Sequence, residues 1–316
     1  MKKLAGLLSL LLAVCLCVSA LADADGIYIK EEDGGHFEPL PINLDGGSPL
    51  PSQYKYNTKY QVYEDPTIRV DRYRVEKSQW SATYYYAIIT IRDPSQLRTA
   101  PAGDSFTAST RRPVQAIAKQ KRAVIAIDGD YCAAFSGNKS NNYILRQGTL
   151  YRDTVEPKLD LLIIDEDGDF HVITADEDPA AADKTQWNGK KAVNVFQFGP
   201  ALVIDGQAVE DEKLLDYGHS PAYSEPDRLN QRMAIAQIGP LTYMVVCCAH
   251  YGLNLVDFRD LVMSLADVKV AYTLDGGNSA QMVFLGQRVN NVSKESGSDR
   301  GVTDIIYFAS AWFTDK

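Results

Sequence analysis

The 316-residue chain is short of the residues that build cross-links and soft-metal sites. Of its five cysteines, Cys15 and Cys17 fall in an apolar N-terminal run, leaving Cys132, Cys247 and Cys248. Three cysteines at those spacings are no disulfide framework. A bridge from Cys132 to either member of the pair and three buried thiols are both open readings. The four histidines are scattered and no CxxC occurs, which argues against structural zinc. The chain also lacks a GxSxG elbow, a P-loop and a GxGxxG fingerprint. Their absence argues against a serine hydrolase of the elbow type and against a nucleotide-binding enzyme.

Long apolar runs are equally scarce. Lys2 and Lys3 precede an apolar stretch over residues 4–18, and Ala20-Leu21-Ala22 supplies a small-x-small cleavage site. That pattern predicts a secretory signal peptide over residues 1–22, cut after Ala22. The run is too short for a membrane span, which needs about 20 residues, and no later stretch is long and apolar enough. The expectation is a secreted or extracytoplasmic protein with no membrane span. Positive charge is in deficit: losing Lys2 and Lys3 with the leader moves the net charge from −9 to −11. So acidic a surface argues against nucleic acid or anionic membranes as partners. It leaves room for an anionic small molecule held by a local cluster of arginines.

What is present is a globular chain with 45% hydrophobic residues. Residues 23–58, rich in Gly, Pro and acids, read as a poorly ordered leader with at most one short strand. From Lys59 onward, short runs dense in Tyr, Val and Ile predict one domain over residues 59–316. Strands are expected at 67–75, 84–91 and 123–127. Hairpins are expected around Gln147-Gly148, Asp167-Gly168 and Gly239-Pro240, and a strand over 194–204 turning at Asp205-Gly206. A helix-compatible segment covers 111–119, an acidic Ala-rich stretch at 176–187 reads as a short helix or loop, and 217–230 as a polar loop. Leu255, Phe258, Val262 and Leu265 recur at helical spacing and predict a helix over 255–265. Many strands and few helices give an α+β class: β-rich mixed sheets with a few packed helices.

The densest chemical signal is LDGGNSAQMVF at residues 274–284. An apolar strand over 268–274 delivers Asp275. Gly276 and Gly277 strip side chains from the next two positions and let a ligand approach the backbone, and polar Asn278 and Ser279 follow. A simple hairpin turn is the plainer explanation of an isolated Asp-Gly. A second unit of the same kind weighs against it, because the strand at 123–127 ends in Asp128-Gly129-Asp130. If the two tips lie on adjacent strands, Asp128 or Asp130 comes near Asp275. Paired carboxylates in one cleft are the usual equipment for cleaving a glycosidic bond. Arg146, Arg232 and Arg300 each border an apolar strand, where a guanidinium can grip a phosphate or carboxylate with two parallel hydrogen bonds. Asp128, Asp130 and Asp275 would also make an oxygen-rich site suited to Ca²⁺ or Mg²⁺, but no dedicated loop signature is present and no metal or cofactor is predicted.

Six blocks in order carry a resemblance. They are AVIAIDGDYC at 123–132, NYILRQGTLYRD at 142–153, FQFGPALVIDGQ at 196–207, NQRMAIAQIG at 230–239, the 274–284 block, and DRGVTDIIYF at 299–308. With these the chain resembles the phosphodiester glycosidase family. The resemblance implies hydrolysis of a sugar 1-phosphodiester or related cell-surface glycan, with a glycan or glycosyl phosphate as partner. It implies Asp275, with Asp130 or Asp128, as catalytic carboxyls. It further implies Arg232, Arg300, Arg146, Gly276, Gly277, Asn278 and Ser279 as substrate-binding positions. The chain departs from the family pattern where Asp128 replaces an Asn, Cys132 an aromatic residue and Ala236 a Gly, and where Ala249-His250-Tyr251 replaces Asp-Gly-Arg. A carboxylate only accepts hydrogen bonds where an amide also donates. These changes frame an alternative, a non-catalytic glycan-binding module of the cell envelope. A structural accessory of export with no sugar site is a third reading.

Overall fold

The structure, a computed structural model, describes residues 39–43, 59–76, 79–80, 82–131, 142–217, 227–249, 252–290 and 300–312. The predicted signal peptide and Cys132 lie outside them. In chain order the first elements are β1 (Tyr60–Glu64), β2 (Ile68–Val75), β3 (Tyr84–Ile91), β4 (Leu97–Pro101), α1 (Val114–Gln120) and β5 (Ile125–Asp128). The middle holds β6 (Ile144–Arg146), β7 (Thr149–Arg152), β8 (Leu161–Asp165), β9 (Phe170–Ile173), β10 (Gln186–Trp187) and β11 (Lys190–Gln197). Then come β12 (Ala201–Ile204), β13 (Gln207–Ala208), α2 (Asp211–Leu215), β14 (Met233–Gly239) and β15 (Thr242–Cys248). The last are α3 (Leu255–Leu265), β16 (Val270–Thr273), β17 (Met282–Phe284), β18 (Gln287–Arg288) and β19 (Asp304–Phe308). The fold is mixed and mostly β.

The described strands form three sheets. The first runs β1-β2-β3-β15-β14-β16-β12-β13, the second β7-β6-β11-β8-β9 with β10 on β11, and the third β18-β17-β5-β19-β4. Met233, Ala234, Ile235 and Ala236 of β14 are all buried, so this central strand reads as a continuous apolar run rather than an alternating one. Its two faces meet different partners. Ala234 and Ala236 pack with Leu255, Phe258, Leu261 and Val262 of α3. Met233 and Ile235 join the main core with Ile127 of β5, Phe196 of β11 and Phe308 of β19. That core is where the three sheets meet.

The helix predicted at 255–265 forms over those residues, with the Asn254 side chain capping its start through the Asp257 N–H at 2.7 Å. The expected hairpins form as β6–β7, β8–β9, β12–β13 and β14–β15. The strand expected over 194–204 is two strands in different sheets, β11 and β12, broken at Phe198-Gly199-Pro200. Part of the expected polar loop at 217–230 is preceded by a short helix, α2, that the sequence pattern did not signal. Within the leader, Ile42 bridges Ala311, so residues 39–43 are packed on the domain. The two acidic tips correct a further expectation: β5 and β16 are not adjacent strands but belong to separate sheets. They converge because the chain leaving β16 turns at once into β17, which pairs with β5 at Met282↔Ile127.

Candidate active site

The 274–281 segment is fixed from two sides. On one side Leu274 N–H donates to Met233 O at 3.0 Å and Gly277 N–H to Gln231 O at 2.8 Å, tying the turn to the lead-in of β14. A Cβ on Gly276 would stand 2.9 Å from Gln231 O, and Gly277 has φ +59°, so both positions require glycine here. On the other side Gln281 is fully buried and acts as a hub. Its N–H donates to Asp128 Oδ1 at 3.0 Å, and its amide donates to Arg300 O at 2.7 Å and to Asn278 O at 3.2 Å. Its Oε1 accepts the Val114 N–H at the start of α1 at 3.1 Å.

Two carboxyls, those of Asp128 and Asp275, bond to the backbone of this segment. Asp128, Asp130, Asp275 and Asp304 are all buried. Asp128 sits at the tip of β5 with no exposure, and its Oδ2 meets no hydrogen-bond donor among the described residues. Burial, reinforced by the charge of Asp275, pushes its carboxyl well above the usual range. Asp275 accepts the Gly276 N–H at 2.8 Å. Gly276, Gly277 and Asn278 beside it are partly exposed, whereas Ser279 is buried with its Oγ unbonded among the described residues.

Asp130 lies on a separate network. Arg146, at the end of β6, donates to Asp130 Oδ2 at 2.9 Å and to Asp304 Oδ2 at 3.1 Å. Its remaining bonds go to the Leu145 and Val195 carbonyls, and its guanidinium lies 3.9 Å from the centre of the Phe196 ring. Asp304 also takes the Asp130 N–H at 2.9 Å. Burial pushes the Asp130 carboxyl up to about 7, with Arg146 opposing and Asp304 adding to the rise. Arg146, expected as a phosphate ligand, is thus directed at two aspartates and two carbonyls inside the protein. Asp304 and Gln281, which hold this site together, were not singled out from the sequence, although both stand in quoted blocks.

The other arginines lie at the periphery. Arg232 is partly exposed and donates to the Leu253 and Arg228 carbonyls at 3.2 and 3.0 Å. Arg300 is partly exposed, and its backbone is bound to the turn through Gln281. Cys248 and Cys247 are free and buried. Cys248 Sγ receives the Arg232 N–H at 3.0 Å, and Cys247 Sγ lies 3.8 Å from Ala280 O. Among the described residues no group of three or more His, Cys, Asp or Glu is arranged to hold a metal ion. No helix among them is long and apolar enough to cross a membrane. A cavity of about 540 Å³ lies apart from the carboxyls, lined by Asp160, Pro200, Lys213 and Tyr217 among others; it includes none of the predicted site residues.

Residues 121–309 match the phosphodiester glycosidase family. The chain belongs to that family. Its fold is similar to the zebrafish N-acetylglucosamine-1-phosphodiester alpha-N-acetylglucosaminidase catalytic domain auto-inhibited by its pro-peptide. That similarity has a TM-score of 0.62 at 16% identity, covering 80% of this chain and 89% of that one. A hypothetical protein from Synechocystis gives a TM-score of 0.54 at 15% identity, over 79% of this chain and 63% of that one. At such identities the likeness is one of fold. In sequence the chain is 26% identical over 218 residues to the SPbeta prophage-derived uncharacterized protein YomE of Bacillus subtilis, covering 65% of this chain. It spans only 31% of that relative's length.

Proposed function

We propose that the chain is an exported hydrolase that cleaves a sugar 1-phosphodiester or a related cell-surface glycan. The observation that carries this reading is the Asp275 turn: a buried carboxyl followed by two partly exposed glycines, in a segment tied by hydrogen bonds to Gln231 on one side and to the buried Asp128 on the other. In the reaction the bond between the anomeric carbon and the phosphate oxygen breaks, and its electron pair leaves with the phosphate. Water supplies hydroxyl to the carbon and a proton to the phosphate. A phosphate is a good leaving group, so stabilising the oxocarbenium-like centre and the departing charge is the main task.

Asp275 faces the anomeric centre in this reading, as nucleophile or as base toward water, with Asp128 behind it. Asp130, paired with Arg146 and Asp304, holds the β5 tip in place and does not touch the sugar. Arg232 and Arg300, at the partly exposed rim, take the phosphate, and Asn278 takes sugar hydroxyls. Gly276 and Gly277 leave the space that the ligand fills. Ser279 acts from below the turn. Export rests on the leader over residues 1–22, and a mature N-terminus at Asp23, read by terminal sequencing of secreted protein, is the expected outcome.

The test is sugar release from a panel of sugar 1-phosphodiesters by the purified protein and its Asp275→Asn variant. Release by the wild type and none by the variant supports the reading. Binding of glycosyl phosphates without release by either protein favours the glycan-binding module instead.

A further inference from the structure

The turn bearing Asp275 is seated on a stretch of chain that lies just outside the β-ladder. The pairing of β14 with β15 ends at Met233↔Cys247, yet Gln231, two residues earlier, supplies the carbonyl that accepts the Gly277 N–H at 2.8 Å. A Cβ on Gly276 would stand 2.9 Å from that same oxygen. Gln231 is held by its neighbours, since its own side-chain nitrogen meets no acceptor among the described residues. On one side Asn230 exchanges backbone bonds with Leu253, at 3.3 and 3.0 Å. On the other, Arg232 faces Cys248. Opposed residues of a hydrogen-bonded antiparallel pair exchange two N–H···O bonds. Here Cys248 N–H donates to Arg232 O at 3.1 Å, and the return bond runs from Arg232 N–H to the Cys248 thiol, at 3.0 Å. The same sulfur lies 3.5 Å from Asn230 O, to which its S–H donates. One side chain thus ties the residues before and after Gln231.

The surroundings keep the thiol in that role. Successive strand residues project to opposite faces. Cys247 joins the main core, whereas Cys248 packs with Leu253 and Phe258 on the α3 side, and both remain unbridged. Burial pushes the Cys248 thiol up to about 11, so it stays a neutral S–H that accepts and donates at once. We propose that Cys248 is a positioning residue for Asp275: its thiol takes the place of a ladder carbonyl and holds residues 230–232 so that the Gln231 carbonyl seats the Gly276-Gly277 turn. Cys248 touches no substrate; it acts through Gln231 and the turn. Only the task given to Asp275 rests on the hydrolase reading, and the seating of the turn is read without turnover.

Native-state hydrogen exchange of the full chain, followed by NMR, reads the seating at one amide. The wild-type Gly277 amide should be protected; exchange at the rate of an unstructured peptide overturns the proposal whatever the variants do. Cys248→Ala should speed exchange at Gly277 about tenfold relative to the amides of β14, the loss of one net hydrogen bond. Cys248→Ser, whose hydroxyl can take both bonds, should restore most of the protection. Val246→Ala, which truncates a buried side chain of the same apolar layer, should change Gly277 and the β14 amides alike. A Cys248→Ala variant in which Gly277 and β14 change together, or a Cys248→Ser variant that behaves like it, overturns the proposal.

Sugar release is the second readout. In Cys248→Ala kcat should fall about tenfold or more, as for a misplaced catalytic group. KM should move little, because the Arg232 guanidinium keeps its own bonds to the Leu253 and Arg228 carbonyls. Cys248→Ser should recover kcat. Protection lost with kcat intact overturns the positioning role and leaves the hydrolase reading standing. The expected exchange pattern with no sugar release by the wild type removes the hydrolase reading and leaves the seating of the turn by Cys248 in place.

Discussion

Gly129 passes so close to Asp304 that a Cβ on the glycine would stand 2.5 Å from the aspartate's Oδ1. The same pair is joined along the backbone, Gly129 N–H donating to Asp304 O at 3.1 Å. Asp304 cannot swing aside, since its two carboxyl oxygens are held by the Asp130 N–H and by Arg146. Gly129→Ala should cost about 1–3 kcal/mol through overpacking. Urea unfolding of the variant beside the wild type measures it, and an unchanged midpoint would show that the network can yield.

Gln281 joins four places at once: Asp128, Arg300, Asn278 and the start of α1. Gln281→Ala leaves the buried Val114 N–H without its acceptor and frees the turn from Arg300. Its expected cost is about 1–3 kcal/mol, the desolvation penalty of an unmet buried group. Sugar release should fall as well, because the turn bearing Asp275 loses its anchor. Full activity in a destabilised variant would separate folding from positioning at this residue.

Much of this site was legible in the chain, and the reason it stopped where it did is physical. Apolar spacing marks 255–265 because one face of α3 alone is buried, and Gly-containing turns mark three of the hairpins because Gly148, Gly168 and Gly206 take positive φ there, whereas at the β14–β15 turn Leu241 does. Asp275 and Asp128 were visible as acids at strand tips. Asp304 was not, because it opens an apolar strand and its meaning comes from Arg146, 158 positions away. The split between β11 and β12 was also hidden. An apolar run reads alike whether it stays in one sheet or crosses to another, and only the Gly199-Pro200 pair hinted at the break. Arg146 borders an apolar strand, as a ligand-binding arginine would, yet burial turns it inward to two aspartates.

Gly252 tests the support beneath the turn from the opposite side. It has φ +56°, and a Cβ there would fall 1.7 Å from Asn230 O, whose neighbour Gln231 seats Gly276 and Gly277. That neighbour is backbone, so no side-chain rotation relieves the clash. Gly252→Ala should therefore reduce both stability and sugar release by more than Gly129→Ala does. Thermal unfolding and the release assay on the two variants decide the order.

The pH dependence of stability follows from Asp130. Its carboxyl is pushed up to about 7, above the unfolded value, so the folded protein binds the proton more tightly. The stability it contributes is full below the unfolded value, near about 4, and is lost as pH rises through about 7. The melting temperature of the wild type should fall across that window, and Asp130→Asn should show a shallower fall. An equal slope in both proteins would assign the titration to another group.

The central claim is that Asp275 performs chemistry on a glycosyl phosphodiester. The most direct measurement is the rate of sugar release from sugar 1-phosphodiesters by the wild type and by Asp275→Asn, with thermal unfolding confirming that both are folded. The account predicts turnover by the wild type and a loss of about a thousandfold or more in the variant. Equal rates in the two folded proteins would contradict it.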